Sequence, residues 1–199
     1  QFCIPAAKQS QRLPEILSRP EVQRLLDGTG NRKHRALLMT TYAAGLRVSE
    51  VVALQLTDLD AARSSLRIEQ GKGAKDRYSL LSARLLEALR AYWREYRPVR
   101  WLFPARGGQK PLDTSSAQKI YYAAKQRAGI TKQGGIHALR HAFATHLLEA
   151  GADLHTIQRL LGHGHISSTM RYLHLARPTL MAQGSPLDLL ELAEDAPRA

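Results

Sequence analysis

The sequence predicts an α+β fold that is mainly α-helical and carries one small antiparallel β-sheet. Three observations lead there. Apolar residues recur at helical spacing through most of residues 13 to 180. These stretches close at glycines, namely Gly28, Gly45, Gly129, Gly151 and Gly162. Between them, Leu66-Arg-Ile68 and Tyr78-Ser-Leu80 flank the turn Gly71-Lys72-Gly73, which reads as a hairpin. With 199 residues and 44% hydrophobic content, the chain can bury one good core.

Residues 1 to 12 are polar and basic without periodicity and read as a linker stub. Ser18-Arg-Pro-Glu21 is a capping-box pattern, with Leu17 placed to staple onto Val22. The helix it opens ends near Gly28. A second helix runs from about Arg32 to Ala44, with Ala36, Leu37, Met39 and Tyr42 among its apolar positions. A short third follows Arg47 and carries Val51, Val52 and Leu54. Residues 56 to 60 can add a third strand to the hairpin. Ser82 to Tyr96 is helical, with Leu85, Leu86, Leu89 and Trp93 on one side. Three further helices span Asp113 to Ala128, His137 to Ala150 and Asp153 to Leu161. Ser168 can cap a last short helix that bears Tyr172. Residues 181 to 199 form a tail that is acidic from Ser185 on and has leucines at 187, 189, 190 and 192.

The formal net charge is +12, with 29 Lys and Arg against 17 Asp and Glu. Such a balance points to nucleic acid as partner, with an anionic membrane surface second. One cysteine, Cys3, excludes a disulfide framework and a cysteine metal cluster. No apolar run reaches membrane-spanning length, and the N-terminus lacks the pattern of a secretory signal. These readings lead to the expectation of a cytoplasmic protein. There is no Gly-x-x-x-x-Gly-Lys-Ser/Thr loop, which argues against ATP use. Seven of the eight histidines fall between His137 and His174, yet their spacings form no HExxH motif and no cysteine or acidic cluster joins them. No metal ligands are assigned.

The chemistry-bearing residues suit phosphoryl transfer on a polyanion. Breaking a phosphodiester builds charge on the nonbridging oxygens, and rigid cations must meet it. Arg47 and Arg140 can each present a planar fork. Arg47 lies at a helix start, where backbone N–H groups also favour anions. His137 shares a helix face with Arg140 and can donate to a phosphate oxygen or accept a proton. His163 follows the helix stop at Gly162. Tyr172, in Ser167-Ser-Thr-Met-Arg-Tyr172, serves as nucleophile only if its phenol is exposed beside a proton acceptor. Lys72 lies in a glycine-flanked turn that can carry an ammonium to a leaving oxygen.

Taken together these segments resemble the catalytic domain of the tyrosine recombinases, the superfamily of phage integrases and Xer-type resolvases. Ala44-Gly-Leu-Arg47-Val-Ser-Glu50 resembles the first arginine box, and Gly71-Lys72-Gly-Ala-Lys75-Asp-Arg77 the lysine hairpin. His137-Ala-Leu-Arg140-His141 resembles the His-x-x-Arg box, and Leu160-Leu-Gly-His163 through Tyr172 the nucleophile box. The resemblance covers about residues 13 to 175 and implies a catalytic domain over 13 to 180. It implies that Tyr172 attacks the scissile phosphate to give a 3′-phosphotyrosyl bond and a free 5′-hydroxyl. Arg47, Arg140 and His163 would hold the phosphate, Lys72 would protonate the leaving oxygen and His137 would assist. Lys75 and Arg77 would contact double-stranded DNA. No cofactor is implied, and the active species would be a tetramer on DNA that exchanges C-terminal segments. The family also carries a helical core-binding domain before the catalytic one, to which residues 1 to 12 would be the linker. Two other readings are a type IB topoisomerase, which shares the chemistry, and a catalytically idle DNA-binding fragment.

Overall fold

The structure, a computed structural model, describes residues 15–69, 76–163, 167–170 and 172. The expected linker stub, the turn with Lys72 and Lys75, and the C-terminal tail lie outside the described residues. Helix α1 (Arg19–Asp27) opens on the expected capping box: Glu21 N–H donates to Ser18 Oγ, and Ser18 N–H donates to Glu21 Oε2 at 2.6 Å. Leu17 and Val22 are both buried, as a staple requires. Helix α2 (Arg32–Ala43) is capped by Asn31, and α3 (Val48–Ala53) starts at Arg47.

The sheet is antiparallel in the order β1-β2-β3, with β1 (Leu59–Asp60), β2 (Ser65–Ile68) and β3 (Arg77–Leu80). The expected third strand is therefore real but two residues long. A single 3₁₀ turn over Leu56–Asp58 takes up the start of that segment. Leu66 pairs with Ser79 and Ile68 with Arg77, so Arg77 sits at the register position next to the hairpin turn.

Helices α4 (Ala83–Tyr96), α5 (Thr114–Arg127), α6 (His137–Glu149) and α7 (Leu154–Leu161) complete the frame, followed by α8 (Ser167–Met170). One side-chain expectation fails in α4. Tyr92, not Trp93, completes the buried stripe with Leu85 and Leu89, while Trp93 is 41% exposed. Steps of four and three keep residue 92 on the stripe, and residue 93 lies 100° further round. The Arg97 guanidinium instead covers Trp93, 4.2 Å from its ring centroid. Helix α8 ends at Met170, so Tyr172 stands in a turn just beyond it.

The buried apolar residues form two clusters. The larger gathers α1 to α5, the sheet and one side of α6. The smaller joins Phe143 and Ala144 of α6 to Ile157, Leu161 and Tyr172. Helix α6 thus has a face in each, which is why its residues 138–140 and 142–146 are all buried. Where the two clusters meet, the chain turns between α2 and α3. Gly45 takes φ +61° there, and a Cβ at this position would overlap the Phe143 ring. Only glycine meets both demands.

Candidate active site

At the centre of the site is a buried carboxylate. Arg47 is the N-cap of α3, and Glu50 is its third helical residue. Glu50 Oε2 accepts the Arg47 backbone N–H at 2.7 Å, and Oε1 accepts the Arg47 guanidinium at 2.8 Å. From β3, Arg77 grips both oxygens of the same carboxylate, at 2.7 and 2.9 Å. From α6, Arg140 Nη1 stands 3.6 Å from Glu50 Oε2. Burial pushes the Glu50 carboxyl up, but the Arg77 and Arg47 hydrogen bonds and the fields of Arg77 and Arg140 outweigh it and hold it at about 2. Three guanidiniums against one carboxylate leave an excess of positive charge suited to a phosphate diester.

The three arginines are presented differently. The Arg140 side chain is 5% exposed, and its two terminal nitrogens donate to the carbonyls of Gly45 and Leu161, each at 2.7 Å. Those carbonyls belong to the α2–α3 turn and the end of α7, so one guanidinium ties three elements. Burial, and after it the repulsion of Arg47, lower its pKa to about 10, which still leaves it charged at neutral pH. The Arg47 side chain is 39% exposed and is the open member of the set. Arg77 is closed off, at 7% exposure, with Nε donating to Leu160 O at 2.9 Å. It was expected to contact DNA; the structure commits its guanidinium to Glu50 and Leu160.

His137 begins α6 and lies one turn before Arg140. Burial first, then the fields of Arg140 and Arg47, lower its pKa below the ordinary imidazole value, with Glu50 opposing. These effects favour the uncharged ring, the state that can take up a proton. No side chain of its own segment caps α6. Gln118 of α5 does part of that work by accepting the Ile136 N–H at 3.0 Å.

Tyr172 and His163 form the second half of the site. Gly162 closes α7 at φ 65°, which turns the chain so that His163 follows directly. His163 Nδ1 shares a hydrogen bond with the buried Thr169 hydroxyl at 2.9 Å. The His163 and Tyr172 rings are parallel, with centroids 6.5 Å apart. The Tyr172 hydroxyl shares a hydrogen bond with His141 Nδ1 at 2.9 Å, and the residue is only 2% exposed. The exposed phenol expected of a nucleophile is thus absent in this state; the ring packs in the smaller core cluster instead.

Arg47, His137, Arg140, His163 and Tyr172 accordingly gather around the junction of α2–α3, α6 and α7, while Lys72 and Lys75 lie outside the described residues. Sequence reasoning gave no role to Glu50, His141, Thr169 or Gln118. Glu50 had a visible signal, an acidic residue three places after a helix-start arginine. His141 is one turn from His137, the same spacing that prompts a search for metal ligands. Among the described residues no group of three His, Cys, Asp or Glu is arranged to hold a metal ion. The concavities of about 360 and 490 Å³ elsewhere on the surface are lined by none of these site residues.

Comparison with known proteins fits this geometry. A profile described as the phage integrase family matches residues 15–178, most of the chain. The chain belongs to the phage integrase family. Its catalytic-domain character, that of a tyrosine recombinase, is shared by relatives of known name. A protein of Sinorhizobium fredii, y4qK, of the integrase/recombinase type, is 49% identical over 187 residues, which cover 94% of this chain and 61% of that protein. The tyrosine recombinase XerD of Caulobacter vibrioides is 40% identical over 87% of this chain and 61% of its own length. Among solved structures, the XerA recombinase superposes with a TM-score of 0.78 at 30% identity, covering 89% of this chain and 65% of XerA. XerH bound to a palindromic difH substrate, a post-cleavage complex, gives 0.76 at 26% identity, with 91% of this chain and 56% of XerH covered. The chain thus spans 56–65% of the length of these relatives. No helix among the described residues is long and apolar enough to cross a membrane.

Proposed function

We propose that this integrase-family domain is a site-specific recombinase that cuts and rejoins double-stranded DNA through a Tyr172 phosphotyrosyl intermediate. The observation that carries the reading is the Glu50 cluster, in which one carboxylate orders Arg47 and stands beside Arg140, with His137 within the fields of both arginines. Those forks stabilise charge on the nonbridging oxygens as it develops. His163, with Nδ1 engaged by Thr169, donates from Nε2 to the same phosphate. The Tyr172 oxygen bonds to phosphorus and the P–O5′ bond breaks. The phenol proton passes to an imidazole, and Lys72 supplies a proton to the departing 5′ oxygen. A 5′-hydroxyl from the partner strand then reverses the step, so the bond energy is retained.

Tyr172 must leave its buried position for this to occur. The short α8 and the turn after it are the element to move, and DNA or a neighbouring protomer supplies the driving contacts. The assembly that fits is a homotetramer on two DNA sites, with residues 181 to 199 exchanged between protomers. The relatives named above are integrases and recombinases, which favours strand exchange over DNA relaxation. The test is a nicked duplex built from inverted repeats adjoining the coding sequence, incubated with the 199-residue chain. A covalent adduct that resolves into exchanged strands is the expected result. Relaxation of supercoils without exchange indicates a topoisomerase, and binding without an adduct indicates an idle fragment.

A further inference from the structure

Arg77 is the most completely enclosed arginine of the lysine hairpin that the structure describes, and its contacts are specific. Its two terminal nitrogens bond to the two oxygens of Glu50, and its Nε bonds to Leu160 O in the last turn of α7. It stands on β3, one residue after Asp76. Bidentate pairing fixes a carboxylate in plane as well as in position. The same carboxylate holds the backbone and side chain of Arg47 and faces Arg140.

We infer that Arg77 is a positioning residue for the reaction: it holds Glu50, and through Glu50 the phosphate-binding forks of Arg47 and Arg140, and it does not contact DNA. This rests on the recombinase reading above for the reaction itself. The charged and titratable groups facing Glu50 are Arg47 from the start of α3, Arg77 from β3, and Arg140 and His137 from α6. Without Arg77, Glu50 stays buried with fewer donors, so it takes up a proton more readily. A protonated Glu50 then stops ordering Arg47. The link also joins β3, the end of α7 and the two arginine boxes.

The experiment compares Arg77→Gln and Arg77→Lys with the unaltered chain. The Glu50 carboxyl is titrated by carbon NMR in the DNA-free chain. Adduct formation is followed between about pH 5 and pH 7.5, and binding to a duplex is measured in the Tyr172→Phe background. In Arg77→Gln the Glu50 midpoint is expected to rise by roughly one to three pH units. Adduct formation is expected to fall most at the acid end, with duplex affinity and its salt slope unchanged. Arg77→Lys, which keeps the charge and loses the fork, is expected to fold and bind DNA normally yet form adduct more slowly. It decides the matter should Arg77→Gln fail to fold. An unchanged Glu50 midpoint, a lysine variant with full activity, or a salt slope reduced by about one overturns the inference. An unaltered chain that forms no adduct removes the recombinase reading, and the Glu50 titration still decides whether Arg77 governs that carboxylate.

Discussion

Glu50 is the carboxylate around which Arg47, Arg77 and Arg140 gather, an acidic residue within a candidate site for an anion. Its carboxyl is held at about 2 against an ordinary 4.5. Because the folded value is the lower one, its contribution is present in full above about pH 4.5. It is lost as the pH falls through 4.5 towards 2. Glu50→Gln leaves three guanidiniums crowded without a counter-charge, and at neutral pH it is expected to cost about 3–5 kcal/mol of stability. Urea melts of the variant and the unaltered chain at pH 7 and pH 3 check this; equal losses at both values contradict it, since protonation should already have removed most of the effect at the lower pH. The Arg140 guanidinium holds Gly45 O and Leu161 O, so under the proposed reaction it serves both the fold and the phosphate. Arg140→Ala is expected to slow cleavage by about 10²–10³-fold. Near-normal single-turnover cleavage by a folded Arg140→Ala protein sinks its assignment.

Among the elements, the turn from α2 to α3 does most to build the site. It sets Arg47 at a helix start, offers a carbonyl to Arg140, and allows α6 and α7 to close over it because residue 45 has no side chain. Gly45→Ala combines a positive φ with overlap on Phe143. It is expected to destabilise the domain by about 2–4 kcal/mol, lowering the melting temperature with little change in the residual activity per folded molecule. An unaltered melting temperature contradicts this packing. The helix ends were legible in the sequence because their signals are local: Ser18, Asn31, Ser82, Asp113 and Asp153 cap from within their own segments. The start of α6, read correctly at His137, has no capping side chain of its own segment, and its polar partner, Gln118, comes from another helix. The expected place of Trp93 beside Leu85 and Leu89 fails for a related reason, since hydrophobicity ranks it with Tyr92 and only exact angular position separates them. The motifs named the candidate site residues. Their state was not legible there: burial of Tyr172 against His141 and enclosure of Arg77 by Glu50 arise from contacts spanning 31 and 27 positions.

The whole molecule is a basic body with the site at the seam between two core clusters. Before Ser185 the chain has 28 basic and 13 acidic side chains, a balance of +15. DNA binding by this chain is expected to weaken steeply with salt, as phosphate contacts release counterions. Titrations of a duplex between about 50 and 200 mM salt check this, and affinity that stays level across that range contradicts it. Deleting residues 185 to 199 is expected to leave the melting temperature unchanged and to reduce adduct yield at paired sites, since the acidic, leucine-bearing tail suits a basic protein neighbour better than DNA. A truncated chain that assembles and cleaves as well as the full one contradicts the exchange. Under the proposed reaction one phenol, buried here against His141, becomes the covalent carrier of a DNA strand. The most direct measurement is to trap the chain on a nicked duplex, digest the product and map the peptide that retains the nucleotide by mass spectrometry. The expected result is a phosphodiester on Tyr172 and no adduct in Tyr172→Phe. A nucleotide carried by any other residue, or an adduct that persists in Tyr172→Phe, contradicts the account.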